Sequence, residues 1–309
     1  MEQALSDVKV LDLTHHIAGP YCTKLLADYG AEVVKVERPD GGDPARAFGP
    51  FLNDEPHPEK SGLFLHVNTN KRGVTINLKS QAGKKILRQL VAGVDILVEN
   101  SAPRVMPSLG FAWDDLEKIN PKLVMTSISN FGQSGPYRDF KASELILYGM
   151  GGAMNETGTL DRYPLKKGGN VIQYQAGTIA SVATMLALFS ARADDAGQHV
   201  DVPIFESQMA TIDRRMSHLL TYQYNNEITQ RPDPEQEPAG FPVGVYPCQD
   251  GFFQIAGGFV FWPRICKMID RPDLVDDPGL GTAQGQRAPA NLEWFLVIWY
   301  PWIAERSKH

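Results

Sequence analysis

The stretch VKVLDLTHHIAGPYCTKLLADYGAEVVKVE, residues 8–37, decides the fold class of this chain. It begins with a short β-rich run, Val8–Leu13, which predicts a strand. After a loop, Pro20 opens an amphipathic stretch that stops at Gly30, the positions at which proline and glycine commonly begin and end a helix. A second apolar run, Ala31–Glu37, predicts another strand. The order is therefore strand, loop, helix and strand.

The same alternation continues along the first two thirds of the chain. Further strands are predicted at Gly73–Leu78, Asp95–Asn100 and Lys122–Ser129, and Ser80 is placed to cap a helix. An apolar segment rich in small residues, Thr178–Arg192, predicts a helix buried on most sides. Strands that alternate with helices favour an α/β fold in which a parallel sheet is covered on both faces, the doubly wound type.

Composition and charge narrow the class of protein. The chain has 309 residues, is 43% hydrophobic and carries a formal charge of −6. These values predict an ordinary globular protein and argue against a binder of nucleic-acid backbones. The three cysteines, Cys22, Cys248 and Cys266, are far apart and form no zinc or disulfide pattern. With no signal-peptide pattern and no long apolar run, a cytoplasmic protein without a membrane span is predicted.

Two polar, proline-rich segments interrupt the alternation. Residues 38–61 predict an extended loop of the kind that often carries function. Residues 225–238, NNEITQRPDPEQEP with its first residue at 225, predict a linker between domains. The predicted organisation is a large domain at 1–224 and a smaller one at 239–309.

Ligands of open α/β sheets bind outside the carboxyl ends of the strands. Several cations suited to phosphate follow predicted strands in this chain: Arg38, Lys79, Arg104 and, further on, Lys141. The first strand–helix turn has no GxGxxG motif, and no GxxxxGK[ST] motif occurs. A nicotinamide dehydrogenase and a P-loop nucleotidase are therefore disfavoured.

The residues quoted at the start, extended through RPDGGDPAR, resemble the opening of the class III CoA-transferases, the family of formyl-CoA transferase, carnitine CoA-transferase and α-methylacyl-CoA racemase. The resemblance continues through NTNKRGVTINLKS, DILVEN, FGQSGPYRD, MGGAMNETG and TMLALFSARADDAGQHVDVPIFES, and then through GFFQIAGGFVFWPRICKMIDRP. It covers nearly the whole chain. It implies a Rossmann-like large domain with a smaller second domain, in an interlocked dimer, with acyl-CoA and a carboxylic acid as substrates and no permanently bound cofactor or metal.

The resemblance also implies a CoA site, carried over position by position. His16, Ile17 and Ala18 would lie at the pantetheine end near the thioester, and Lys141 and Glu144 would approach the same side. Arg38 would face the nucleotide phosphates. The adenosine moiety would be held by Asn77, Leu78, Lys79, Asn100, Ser101 and Ala102, with Arg104 compensating for Ser108 where an arginine is expected.

The family nucleophile is an aspartate placed four residues before a glycine, and the matching residue here is Gln173, counted back from Gly177. A carboxylate attacks a thioester to give an activated mixed anhydride, whereas a neutral amide has no comparable lone pair. Glu144, Glu156 and Asp161 are the nearby carboxylates, and Glu144 is the preferred replacement. Each carboxylate also has a purely structural interpretation as a surface group or helix cap.

Racemisation is disfavoured, since its histidine would fall at Ser143 and no histidine occurs between His66 and His199. Three interpretations stay open. The first is a CoA-transferase that uses another carboxylate or a partner chain. The second is a CoA-binding partner subunit without its own nucleophile, and the third is a generic α/β binding protein. The expected assembly is a homodimer or a heteromer with a paralogue.

The C-terminal part raises two further expectations. The family chain normally continues beyond the last residues here, so the small domain is expected to be incomplete. In that case Trp294, Trp299 and Trp302 would pack against missing sequence and leave an apolar patch. Gly257 and Gly258 match a mobile glycine loop of the family, or a simple hairpin turn.

Overall fold

The computed structural model of the chain describes residues 3–209, 222–226, 228, 231, 243–256, 259–282, 285–287, 291, 297, 299, 301–303 and 305. These residues form two compact units, one built from 1–157 and 164–230, the other from 158–163 and 231–309. The predicted linker at 225–238 falls mostly outside the described residues, and so do Gly257, Gly258 and Trp294.

The first unit is a six-stranded parallel sheet with the strand order β3-β2-β1-β4-β5-β6. Its strands are β1 (Lys9–Asp12), β2 (Glu32–Glu37), β3 (Lys71–Thr75), β4 (Ile96–Glu99), β5 (Val124–Ser129) and β6 (Gln198–Pro203). Its helices are α1 (Ala18–Asp28), α2 (Gly62–Val67), α3 (Gln81–Val91), α4 (Val105–Leu109), α5 (Trp113–Glu117), α6 (Glu144–Met150), α7 (Val171–Asp194) and α8 (Ile204–Ser207). The predicted α/β class with a Rossmann-like parallel sheet is confirmed.

Helices cover both faces of this sheet because successive strand residues point to opposite sides. Val10 and Val98 pack into one apolar cluster with α1 and α7, while Leu11 and Leu97 pack into a second cluster with α3, α4 and α5. The strand order reverses between β1 and β4, and in folds of this type the crevice at that point binds ligands.

Two predicted elements begin earlier in the chain than expected. The strand predicted at Gly73–Leu78 is Lys71–Thr75, because Asn77 forms a turn in which its side chain accepts the Lys79 N–H at 3.0 Å. The buried helix predicted from Thr178 begins seven residues earlier, at Val171. Gln173 therefore lies in the first turn of a helix.

The second unit contains an antiparallel hairpin, β7 (Val243–Cys248) and β8 (Gly251–Ala256), followed by α9 (Trp262–Met268). Its core includes Trp262 and Trp299, both essentially fully buried, and the Trp299 and Trp302 rings stack at 5.9 Å. The expectation that Trp299 would be left in an exposed patch is wrong, because its ring packs into the core of this unit.

Helix α7 is the one helix of the described residues that is long and apolar enough to cross a membrane, by length and composition alone. In this chain 44% of its apolar window is buried within the protein, as expected of a core helix that packs on a sheet.

Candidate functional site

A cavity of about 480 Å³ opens at the carboxyl ends of β1 to β4. Of the residues predicted to bind CoA, it is lined by Arg38, Asn77, Leu78, Lys79 and Ser101, and Ser108 lines it as well. These residues follow three different strands, β2, β3 and β4, so only the parallel arrangement of the sheet brings them to one place.

The cavity carries two cations suited to an anionic ligand. Arg38 and Lys79 are both exposed at its edge, and neither takes part in an ion pair among the residues that the structure describes. The Nε of Arg38 donates to the carbonyl of Gly42 at 3.0 Å, which holds the guanidinium near the loop after β2. An unpaired guanidinium and an ammonium beside one cavity favour phosphate binding.

The loop between β1 and α1 forms one side of this cavity through Thr14 and His15. Asn100 accepts the His15 N–H at 2.9 Å and donates to the His15 carbonyl at 2.8 Å. The next residue, His16, has φ of +73°, a left-handed conformation that is costly for a residue with a side chain. Asp43 accepts the His16 N–H at 2.9 Å, so this strained backbone is held by specific contacts.

Two other residues predicted for the thioester end, Ile17 and Ala18, have fully buried side chains. Asn100 and Ala102 do not line the cavity, and the Asn100 carboxamide is already used to hold His15. For these four positions, contact with CoA stays a prediction.

Arg104 and Lys141 are exposed and do not line the cavity. The Arg104 guanidinium instead donates to the Asp139 carboxylate, from Nε at 2.8 Å. The structure therefore does not bring these two cations together with Arg38 and Lys79, and their predicted roles stay untested.

The two predicted catalytic residues meet at the start of α7: Gln173 lies in its first turn, and Glu144 is the first residue of α6. The Oε1 atom of Glu144 accepts the N–H of Ile172 at 2.9 Å, so this carboxylate caps the helix one residue before Gln173. The Oε2 atom of Glu144 is buried and has no hydrogen-bond partner among the described residues. Burial raises the pKa of Glu144, although hydrogen bonds from the first turn of α7 and the charge of Lys166 oppose this effect.

Of the other carboxylates considered, Asp161 belongs to the second unit, where it accepts a hydrogen bond from Thr159. The side chain of Glu156 is outside the described residues. Among the carboxylates considered, only Glu144 is shown in contact with the segment that contains Gln173.

The first turns of α1 and α7 lie side by side. A Cβ atom at Gly177 would be 2.5 Å from the Ala18 carbonyl oxygen, and the Tyr21 and Tyr174 rings meet edge to face at 5.0 Å. The loop that borders the cavity thus leads to the segment that holds Gln173 and Glu144.

We expect Gly177→Ala to lower the free energy of unfolding by about 1–3 kcal/mol, because the added methyl group overlaps the backbone of α1. Urea unfolding measures this cost. Gly73→Ala is the matched control, since no atom lies within 4 Å of its added Cβ. Equal stability of the two variants would show that α1 and α7 are not in close contact.

Sequence reasoning missed a row of polar residues across three neighbouring strands. Glu99, Ser127 and Asp201 are in register on β4, β5 and β6. Glu99 is only 3% exposed, and its Oε2 accepts the N–H of Ser101, a residue that lines the cavity, at 2.8 Å. The Ser127 hydroxyl lies 2.9 Å from Nε2 of His199. The available signal was a glutamate that ends the apolar run DILVE.

Burial raises the pKa of Glu99 from 4.5 to about 7, against hydrogen bonds from Ser127 and Ser101. Because the folded-state pKa is the higher one, Glu99 stabilises the fold below pH 4.5, and this stabilisation is lost as the pH rises to about 7. We expect the natural chain to lose up to about 1.4 kcal/mol per pH unit in this window relative to Glu99→Gln. Urea unfolding of both chains across the window measures the difference, and parallel curves would contradict a titrating Glu99.

Two buried ion pairs were also missed. Lys71 contacts Asp12 at 3.0 Å and Lys35 contacts Asp43 at 3.0 Å, with almost no exposed side-chain surface in either pair. Each lysine also donates a hydrogen bond to one end of the segment 14–20, which leads from β1 into the first turn of α1 and is called the cavity loop below. Lys35 donates to the Thr14 carbonyl and Lys71 to the Pro20 carbonyl, both at 2.7 Å. The signal was a charged residue inside an apolar strand, as in VLDL and VVKVE. Within the described residues, no cluster of side chains suited to a metal ion occurs.

The family model described as CoA-transferase family III matches residues 5–299. A succinyl-CoA–D-citramalate CoA-transferase of Chloroflexus aurantiacus is 34% identical over 298 residues, which are 96% of this chain and 72% of that protein. A formyl-CoA:oxalate CoA-transferase of Streptomyces avermitilis is 35% identical over 321 residues, covering 100% of this chain and 76% of that protein. A succinate–glutarate CoA-transferase of Agrobacterium fabrum is 34% identical over 291 residues, covering 92% and 71%.

Among solved structures, a CAIB/BAIF family protein from Brucella suis matches with a TM-score of 0.81 and 27% identity. The match covers 100% of this chain and 80% of that chain. The similarity therefore extends over both units of the structure.

Proposed function

The chain belongs to CoA-transferase family III and is an enzyme that moves CoA between an acyl-CoA thioester and a carboxylic acid. We propose that Glu144 is the carboxylate nucleophile of this reaction. The observation that carries the proposal is the position of Glu144. It caps the first turn of α7 through the Ile172 N–H, beside the residue that matches the family nucleophile.

Gln173 at that matching position cannot form the usual intermediate, because an amide is neither a charged nucleophile nor able to give a mixed anhydride. Glu144 supplies the missing carboxylate from the start of α6, where it contacts the residue before Gln173. Its Oε2 atom makes no hydrogen bond among the described residues, so this atom is the one available for bond formation. Because Oε2 is buried, the side chain has to rotate toward the cavity loop before attack.

The proposed steps follow from carboxylate chemistry. The Glu144 carboxylate attacks the thioester carbonyl and expels CoA as a thiolate, which leaves a mixed anhydride. The thiolate then attacks the Glu144 carbonyl, releases the first acid and leaves a glutamyl-CoA thioester. The acceptor carboxylate attacks this thioester to form a second anhydride, and CoA returns to the new acyl group. Each bond formed replaces one that is broken, so no other reactant is needed.

The cavity is the proposed site of the CoA nucleotide. We expect Arg38 and Lys79, which line the cavity, to meet its phosphates, and Asn77, Leu78 and Ser101 to meet the adenosine moiety. The pantetheine arm would then follow the loop at His16 toward Glu144. Ile17, Ala18, Asn100, Ala102, Arg104 and Lys141 stay proposed members of the site through backbone contact, support or a later movement.

The relatives named above act, by their names, on oxalate, succinate, glutarate and citramalate. We propose that the acceptor of this chain is likewise a small organic acid, and that the enzyme works in the cytoplasm, where acyl-CoA is its substrate.

A homodimer is the proposed assembly. Helix α7 is packed in the core on one side, yet Val182, Leu186 and Phe189 on another side are 56%, 67% and 78% exposed. Their spacing of four and three residues places them in one stripe on the helix surface. A second copy of the chain would remove this apolar stripe from water.

We expect Leu186→Glu combined with Phe189→Glu to convert the dimer to a monomer in analytical ultracentrifugation, since burying two carboxylates in an apolar contact is costly. Ile86→Glu is the control, because Ile86 is a partly exposed residue of α3 on the opposite face of the sheet. A natural chain that is monomeric on its own would contradict the homodimer and favour a heteromer with a paralogue.

The experiment that tests the proposed function is exchange of CoA between an acyl-CoA and a labelled free acid, with the purified natural chain and with Gln173→Asp. We expect exchange by the natural chain. A silent natural chain together with an active Gln173→Asp variant would overturn the role of Glu144 and favour a partner subunit without its own nucleophile.

A further inference from the structure

The loop before α7 holds a lysine that forms no ion pair among the described residues. Lys166 is half-buried, and its Nζ atom donates to the carbonyls of Lys167 at 2.6 Å and Gly169 at 2.5 Å. An ammonium group has three N–H donors, and these two contacts use two of them. Among the described residues, no carboxylate forms an ion pair with it.

Open space lies next to this ammonium group. A Cβ atom added at Gly168 or Gly169 would meet no atom within 4 Å. A small ligand can therefore approach Lys166 without displacing the protein.

Lys166 also acts on Glu144, because its charge opposes the rise in the pKa of that carboxyl group that burial causes. The Gly169 carbonyl that holds the ammonium is three residues before Ile172, whose N–H holds the Glu144 carboxylate. The cation and the reacting carboxylate are thus attached to one short segment, which fixes their separation.

The proposed reaction changes the charge balance at this point. When Glu144 becomes part of an anhydride or a thioester, its negative charge disappears, and Lys166 then faces a neutral residue. A half-buried ammonium without a counter-ion is unfavourable, so an anionic group on the substrate is stabilised at that stage. In the anhydride the reacting carboxylate of the substrate has lost its own charge as well, which leaves a second carboxylate of the substrate as a suitable counter-ion.

We propose that Lys166 binds the carboxylate of the substrate that does not react, and that it thereby selects dicarboxylic acids and their CoA thioesters over monocarboxylic ones. The inference rests on the proposed function, because it places the acyl group at Glu144. A purely structural lysine, which only holds the loop carbonyls, would affect both kinds of substrate equally.

Measurements of binding, rather than of turnover, distinguish a lysine that binds the second carboxylate from one that only holds the loop carbonyls. Glutaryl-CoA and pentanoyl-CoA have acyl chains of equal length and differ in the terminal carboxylate. Their affinities are measured by calorimetry in the Glu144→Gln background, where no transfer through residue 144 occurs and where residue 144 is neutral, as in the intermediates. Four proteins are compared, all with Glu144→Gln: this single variant, and the double variants with Lys166→Met, Lys166→Arg or Lys118→Met. Lys118→Met is the control for loss of a surface charge.

We expect glutaryl-CoA to bind about tenfold or more tightly than pentanoyl-CoA, a charge-assisted hydrogen bond being worth this much. Lys166→Met should abolish the preference without changing the affinity for pentanoyl-CoA, whereas Lys166→Arg and Lys118→Met should retain it. Equal weakening of both ligands by Lys166→Met, or an intact preference, would overturn the proposal. If neither thioester binds to any variant, the proposed function is overturned together with this proposal. If both thioesters bind but the exchange test of Gln173→Asp argues against Glu144, the ratio of the two affinities still decides whether Lys166 binds the second carboxylate.

Discussion

Replacement of Glu144 by glutamine should lower the rate of CoA exchange by at least about 10³-fold, as loss of a covalent nucleophile does in other enzymes. The amide keeps the size of the side chain, and its carbonyl oxygen can still accept the Ile172 N–H, so the start of α7 stays capped. Only the ability to form an anhydride is removed. The measurement is transfer of CoA from an acyl-CoA to a labelled acid.

Oxygen-18 in the acceptor acid gives a second, independent readout. In the proposed steps the acceptor attacks the glutamyl-CoA thioester, and one of its oxygen atoms stays on the enzyme when CoA leaves with the new acyl group. Mass spectrometry of the peptide that contains Glu144 should therefore detect the label. Unlabelled Glu144 in an active enzyme, or an active Glu144→Gln variant, would assign the acyl transfer to another carboxylate.

Two controls make the result specific. Glu144→Asp keeps the carboxylate on a shorter side chain and should retain part of the activity, whereas Glu117→Gln on the exposed helix α5 should have no effect. The pH dependence of the exchange rate is a further test, because the direction of its change can be predicted. Burial raises the pKa of Glu144, so exchange should decline as the pH falls through this raised value, at which the carboxylate becomes protonated.

The second large effect concerns stability. We expect Lys71→Met to lower the free energy of unfolding by about 3–5 kcal/mol, the usual cost of leaving one partner of a buried ion pair behind. Asp12 is fully buried and accepts hydrogen bonds from the Thr14 N–H at 2.8 Å and the Thr23 hydroxyl at 2.7 Å. Burial alone would raise the pKa of Asp12, but the ammonium groups of Lys35 and Lys71 hold it well below its ordinary value. Without Lys71 this stabilisation of the carboxylate is reduced.

The neighbouring residue supplies the control. Arg72 forms an ion pair with Glu32 at 3.0 Å, but its side chain is 78% exposed, so Arg72→Met should cost less than about 1 kcal/mol. Adding Asp12→Asn to Lys71→Met should recover part of the loss, because the orphaned charge is removed. Urea unfolding of the four chains measures these differences. Similar costs for Lys71→Met and Arg72→Met would contradict a buried pair of this kind.

The same substitution should also affect binding, since Lys71 holds the Pro20 carbonyl at the helix end of the cavity loop. We attribute this to positioning and not to contact with the substrate, because the Lys71 side chain is only 2% exposed.

Local patterns in the sequence were sufficient for the alternation of elements and the α/β class. Val8–Leu13 and Ala31–Glu37 are apolar runs around a helix bounded by proline and glycine, and such signals depend only on neighbouring residues. The resemblance further supplied Arg38, Asn77, Leu78, Lys79 and Ser101, which the structure brings to one cavity. The sequence therefore predicted the fold class, the family and the residues of that cavity.

The true start of α7 was not predictable, because the residues before Thr178 include Gly168 and Gly169 and carry no strong helix signal. The helix extends back to Val171 because Glu144, 28 residues away along the chain, accepts the N–H of Ile172. A contact over that distance leaves no local pattern in the sequence.

The buried pairs show the same limit. Asp12 and Lys71 are 59 residues apart along the chain, and a charged residue in a strand does not reveal its partner. By itself the sequence determined the order of strands and helices, the family and the absence of a carboxylate at position 173. Only the tertiary structure decided which carboxylate meets the start of α7, which charges pair in the interior and which cations form no ion pair among the described residues. The physical reason is that local propensities act between neighbours in the chain, whereas hydrogen bonds and ion pairs at a site depend on distances that exist only after the sheet has formed.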